Sequence, residues 1–184
     1  DYTSPKDMAE ELRFRTNDAR AIFNVNNLAP LQAQGAKMIM WTGASDEAVP
    51  PQNVADYTRD VTKVYGANRT DWYRSFFAPG MFHCRNGEGH PTDFQDKLLE
   101  AMIRWVEKGE APDSIVASNV PIPPPAPDGT PTPVVPLGKA TRTYLICSYP
   151  MRSVFKGGLA NPQKLDVNDA RNWRCEACFF LRQA

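Results

Sequence analysis

Apolar positions along this chain change their period several times, and each change marks an element. Lys37 to Trp41 is continuously apolar after its lysine, too short for a helix between its flanks and suited to a strand buried on both faces. Gln52 to Tyr65 sets Val54, Tyr57, Val61, Val64 and Tyr65 at helical spacing, one face of an amphipathic helix that Gly66 stops. Asp71 to Phe77 reads as a second strand, rich in aromatics and halted by Pro79 and Gly80. Phe94, Leu98, Leu99, Met102, Ile103, Trp105 and Val106 then mark a second amphipathic helix with Gly109 at its end. Strand, helix, strand, helix is the alternation of an α/β sheet.

The flanking segments carry weaker patterns. Ser4, Pro5 and Asp7 form a helix start, with a serine cap and proline in the first turn, predicting a helix to about Arg15. Residues 16–27 are polar and read as a surface entry segment. Leu28 to Gly35 predicts a short helix ending in glycine, and residues 85–92 predict an exposed loop. Ser114 to Ser118 is a short extended segment. Proline is so dense from Pro121 to Pro136 that neither a helix nor an interior strand survives there. A wrapping surface loop fits this stretch better than a polyproline recognition motif. Arg142 to Tyr149 predicts a further strand, and Pro150 to Ala184 a loop-rich tail held by cysteines. No internal repeat is evident.

Composition narrows the function classes. With 184 residues, 42% apolar and 10% aromatic, the chain can build a folded core. Its 21 acidic and 21 basic side chains cancel, which points to neither nucleic acid nor an anionic membrane as partner. No apolar run approaches the roughly 18–20 residues that span a bilayer. The first residues have neither a basic nor an apolar signal region, so a targeting sequence is expected to have been removed or to lie on another chain. The cysteines are Cys84, Cys147, Cys175 and Cys178. Cys175 and Cys178 form a C-x-x-C pair. Zinc would need two more ligands, and the pair does not open a helix as a redox site does, so structural disulfides in an oxidising compartment are favoured. Asn68, Arg69 and Thr70 form an N-glycosylation sequon, in keeping with a secreted protein.

Two turns offer chemistry. Asp46 follows the first strand through a Gly-Ala-Ser turn, and His83 follows the second through Pro-Gly-Met-Phe. They stand 37 residues apart, room for one helix and a return strand, which sets both side chains at the carboxyl edge of one parallel sheet. Acid before histidine is the chain order of the last two members of an α/β-hydrolase triad. The carboxylate would fix the imidazole's tautomer while the imidazole takes a proton from a hydroxyl nucleophile. His90, in a glycine loop with no strand before it, is expected to be exposed. A search for the nucleophile fails. No G-x-S-x-G elbow occurs, Ser45, Ser75, Ser114, Ser118, Ser148 and Ser153 lack a strand-to-helix elbow, and Cys84 adjoins its own base with a diverging side chain. The strands are also too few for a complete hydrolase sheet. The expectation is therefore the C-terminal part of an α/β-hydrolase sheet with flanking helices, completed by a missing N-terminal half.

The chain resembles the tannase and feruloyl esterase family in several ordered motifs. An apolar strand leads to Gly43, Asp46, a short linker and Pro50-Pro51-Gln52; Pro79-Gly80-Met81 precedes His83-Cys84. Further on come Trp105 to Ile115, Cys147 to Pro150, Phe155 to Gly157, and Asn168-Asp169-Ala170 with Cys175. The resemblance covers residues 28–175. It implies an α/β-hydrolase with Asp46 and His83 as two triad members and a serine upstream. It also implies that a cysteine preceding that serine is bonded to Cys84, and that Cys147 pairs with Cys175. That second bridge closes a loop of 28 residues, worth about 3.5 kcal/mol on the chain-entropy model. Cys178 is left unassigned, with a swap for Cys175 and a bridge to the missing part both open. The family's lid, with its calcium site, lies between serine and aspartate. Residues 1–27 would be the end of that lid and show no calcium ligand cluster, so neither metal nor cofactor is expected in this chain.

The departures from the family pattern are Thr42, Ala44, Glu47, Phe82, Arg85 and Asn86, all near the expected pocket mouth, where Glu47, Ala48, Val49 and Phe82 are the candidate pocket residues. They leave the triad members untouched and put substrate choice in question. The leading expectation is a secreted serine esterase acting on small aromatic esters through an acyl-serine, active only with its disulfide-linked serine-bearing half and separated from it by proteolytic processing. The alternatives are a non-catalytic secreted binding module derived from a hydrolase half, and an enzyme with a nucleophile of another kind.

Overall fold

The computed structural model describes residues 28–83, 85–123, 137–157 and 165–177. The expected helix at residues 4–15, Cys84, most of the proline-dense stretch and Cys178 lie outside the described residues.

Chain order gives α1 (Ala29–Ala33), β1 (Met38–Gly43), α2 (Pro51–Tyr65), β2 (Tyr73–Ala78), α3 (Phe94–Lys108), β3 (Ser114–Ser118), β4 (Thr143–Cys147), β5 (Met151–Phe155) and β6 (Trp173–Ala177). β1 and β2 pair in parallel, with Met38 opposite Tyr73 and Gly43 opposite Ala78. Because side chains alternate along each strand, this ribbon is covered on both faces. Ile39 and Trp41 join Phe76, Ala78, Met81, Phe94, Ala101, Ile115, Ala117, Tyr144 and Ile146 on the α3 side. Met38 and Met40 join Tyr73, Trp72, Val61, Tyr57, Tyr65 and Leu31 on the α2 side. The two helices thus clamp the strand pair, and Trp41 meets Phe94 edge to face at 5.6 Å.

The α2 face differs from its predicted stripe. Val54, Ala55, Thr58 and Val61 are buried while Val64 turns outward. Thr58 faces the sheet for a reason: its hydroxyl donates to the Val54 carbonyl or reaches Tyr73 Oη and Ser75 Oγ at 2.9 and 3.0 Å. Tyr73 in turn reaches Met40 Sδ at 3.4 Å, and burial pushes its phenol up to about 12. Arg69 enters the same layer, donating to Thr62 Oγ1 and to the carbonyls of Tyr73 and Tyr149. Burial holds its guanidinium below the ordinary arginine value.

α3 shows a larger departure. Phe94, Ala101 and Trp105 are buried and Leu98 packs against the cluster holding Phe94 and Ala101, whereas Leu99, Ile103 and Val106 are 60%, 46% and 63% exposed. Two apolar stripes compete on this helix, and the one carrying Phe94 and Ala101 packs into the core with Phe76, Ala78 and Ile115, while Arg74 and Lys37 bring their cations over the buried Trp105 ring, at 5.5 and 5.6 Å. Asp93, just before α3, accepts from Ser118 N at 2.6 Å and ties the helix start to the end of β3.

β3 and β4 pair antiparallel, as do β5 and β6. The segment after β4 returns to β2, with Tyr149 N donating to the Ser75 carbonyl at 2.9 Å. The tail predicted to be loop-rich therefore contains a strand pair, and Cys147 of β4 is bonded to Cys175 of β6. The 85–92 loop is less exposed than predicted: Pro91 is fully buried and His90 half-buried, with Nδ1 2.6 Å from the Gly87 carbonyl. β1 is half-buried rather than buried throughout, because among the described residues only β2 pairs with it.

Thr58→Val keeps the shape of this layer and removes the hydroxyl that Tyr73 and Ser75 share. The expected loss is about 1–3 kcal/mol of unfolding free energy in urea titration; an unchanged midpoint would show that the tyrosine finds another partner.

Candidate active site

Asp46 and His83 come together at the carboxyl ends of β1 and β2. His83 Nδ1 lies 3.0 Å from Asp46 Oδ2. The parallel register sets the two strand ends level, and the turns beyond them interlock through their main chains. Ala44 N donates to the Ala78 carbonyl at 2.8 Å, and Ser45 N to the Met81 carbonyl at 3.0 Å.

This approach depends on Gly43. A Cβ there would stand 2.2 Å from the Met81 carbonyl oxygen and 2.4 Å from that of Phe82. Gly87 has the same role behind the histidine loop, where a Cβ would stand 1.9 Å from the Gly80 carbonyl oxygen, and its φ of 109° suits glycine alone. Phe82 N donates to the Asn86 carbonyl at 3.2 Å, which closes the loop around His83.

The acid is prepared as an acceptor. Its Oδ1 receives the amides of Ala48 and Val49 at 2.9 and 2.8 Å, leaving Oδ2 for the imidazole. The Val49 amide, the His83 ring and the Ala48 amide together hold its carboxyl below the ordinary aspartate value, against the opposing effect of burial. An ionised carboxylate can only accept, so Nδ1 is the donor, and in the neutral tautomer that makes this bond the lone pair stands on Nε2. The Asp46 side chain is 3% exposed and the His83 side chain 51%, so the imidazole is reachable while the carboxylate is shielded. This arrangement can take a proton from a hydroxyl placed at Nε2 and stabilise the resulting imidazolium.

Of the residues expected at the pocket mouth, Ala48 and Val49 act here through their amides rather than their side chains. Glu47 reaches back to His83, accepting from its amide at 3.3 Å. Phe82 is an exposed ring beside the base. Asn68 lies exposed in the 3-10 turn Ala67–Asp71, at the opposite end of β2 from His83. Among the described residues no group of three or more metal-ligating side chains exists, and no helix is long and apolar enough to cross a membrane. Sequence reasoning missed the packing of Gly43 and Gly87, whose signal was a glycine where the strand meets its turn and another in the loop behind the histidine.

Two measurements follow from this geometry. Gly43→Ala forces the two turns apart, with an expected loss of about 2 kcal/mol or more; an unchanged melting temperature would mean that the turns have slack. Because the Asp46 carboxyl is lowered on folding, its contribution is present above the ordinary aspartate value near 3.9 and is lost as pH falls through the native value. Asp46→Asn should therefore flatten stability against pH in the acid range; an identical acid limb would contradict the assignment of that carboxylate's environment.

The family model for tannase and feruloyl esterase matches residues 23–172. A probable feruloyl esterase of Arthroderma benhamiae is 33% identical over 158 residues, covering 83% of this chain and 25% of the relative. The mono(2-hydroxyethyl) terephthalate hydrolase of Piscinibacter sakaiensis is 36% identical over 152 residues, covering 82% of this chain and 21% of that protein. The crystal structure of an esterase from Aspergillus oryzae shares the fold at a TM-score of 0.68 and 24% identity, over 95% of this chain and 34% of its own. The chain thus spans about a quarter of the length of the curated relatives it matches. With a hydrolase-like α/β arrangement and a match over most of its length, it belongs to the tannase and feruloyl esterase family.

Proposed function

We propose that this chain supplies the acid and the base of a serine esterase that acts on small aromatic esters, the serine being carried by the rest of the protein. The observation that carries this reading is the 3.0 Å contact from the His83 ring to a carboxylate already held by two main-chain amides, at the ends of adjacent parallel strands. Membership of a family of carboxylic ester hydrolases supports the reaction class.

His83 Nε2 takes the serine hydroxyl proton as the oxygen attacks the ester carbonyl, and Asp46 stabilises the imidazolium that forms. Collapse of the tetrahedral adduct breaks the bond to the leaving alcohol, which receives that proton from His83, and leaves an acyl-serine. Water then attacks the acyl group, with His83 first accepting its proton and then returning it to the serine. The oxyanion donors, the lid and any calcium site belong to the serine-bearing part. Cys84 is its disulfide tether. The Cys147–Cys175 bond and the exposed sequon at Asn68 support an oxidising, extracellular setting and a glycan at that turn.

The test is kinetic and uses the complete protein. His83→Ala should lower kcat on a chromogenic aryl ester by about three to four orders of magnitude with the melting temperature held. Turnover retained by that variant would sink the assignment. Turnover by the isolated chain would point instead to a nucleophile within it.

A further inference from the structure

The reading of Asp46 and His83 as acid and base leaves one contact of this site unused, and we propose, resting on that reading, that Glu47 is a positioning residue that holds the main chain of His83 while Asp46 holds its ring. Glu47 Oε2 accepts from His83 N at 3.3 Å, and Asp46 Oδ2 meets His83 Nδ1 at 3.0 Å. Two consecutive residues of one turn therefore address the two ends of one histidine.

The need for a second hold is visible in the loop itself. Its main chain is tied to the acid turn at Met81, through Ser45 N, and to its own far side at Phe82, through the Asn86 carbonyl. Neither tie reaches His83. The imidazole is half exposed, so packing alone does not set its direction. A single hydrogen bond to a ring leaves the residue free to rock about that bond. Fixing the amide as well restricts rotation at the backbone next to the ring, so Nε2 is presented along one line. The acceptor is a carboxylate, which holds an amide more firmly than a neutral oxygen does. Asp46 cannot fill both roles, because its Oδ1 is occupied by the amides of Ala48 and Val49.

Glu47 is exposed, so little of the global stability depends on it. Its effect belongs in the rate. In the complete enzyme, Glu47→Ala should lower kcat about three- to tenfold, the size of one lost hydrogen bond, with KM and melting temperature unchanged. Glu47→Gln keeps an oxygen that can accept from the same amide and should retain most of the rate. Hydrogen exchange at the His83 amide should quicken in the alanine variant and stay near wild type in the glutamine variant. Wild-type kcat in Glu47→Ala, a loss confined to KM, or equal losses in the alanine and glutamine variants would each overturn the proposal. His83→Ala measured alongside separates the two levels: if it is inactive while Glu47→Ala is normal, only the positioning role falls, and if it is active, the underlying reading falls with it.

Discussion

The parallel register of β1 with β2 is the constraint on which this structure depends. With Gly43 opposite Ala78, both strands end at the same height, and the turns that follow start side by side. A shift of one residue would turn Ile39 and Trp41 away from α3 and carry Asp46 away from its histidine together. Core packing and the acid–base contact are thus two consequences of one alignment. The clamp of α2 and α3 protects it from opposite sides, with the Thr58 hydroxyl network on one face and Trp41, Phe94 and Trp105 on the other.

The site is built chiefly from main-chain groups. Two amides fix the carboxylate, the Met81 carbonyl receives Ser45 N, and two glycines let the chain segments touch. Such a frame is indifferent to most side-chain changes around it. That lets the side chains of Ala48, Val49 and Phe82 change without moving Asp46 from His83, since Ala48 and Val49 hold the carboxylate through their amides and Phe82 bonds through its own.

Much of this was legible in the residues, and the failures have physical causes. An apolar run ending in a small-residue turn gave away both Asp46 and His83, because strand ends and turns are local features. The inward face of α3 was misread because Leu99, Ile103 and Val106 form as good a helical stripe as Phe94, Leu98, Ala101 and Trp105. Only the partners distinguish them, and Ile39, Trp41, Phe76 and Tyr144 are remote in sequence. β6 was missed because Arg174 and Glu176 dilute its alternation, while its pairing with β5 depends on residues beyond the reach of local propensity. The hold of Glu47 on His83 N is a product of turn geometry that no residue pattern announces.

The outer edge of β1 has a further consequence. Among the described residues it has no neighbour, so a row of main-chain donors and acceptors borders side chains that are only half covered. An open apolar edge is a template for any strand that meets it. A preparation of these residues alone is thus prone to self-association through that edge, and anything that covered it would act first as a shield against aggregation.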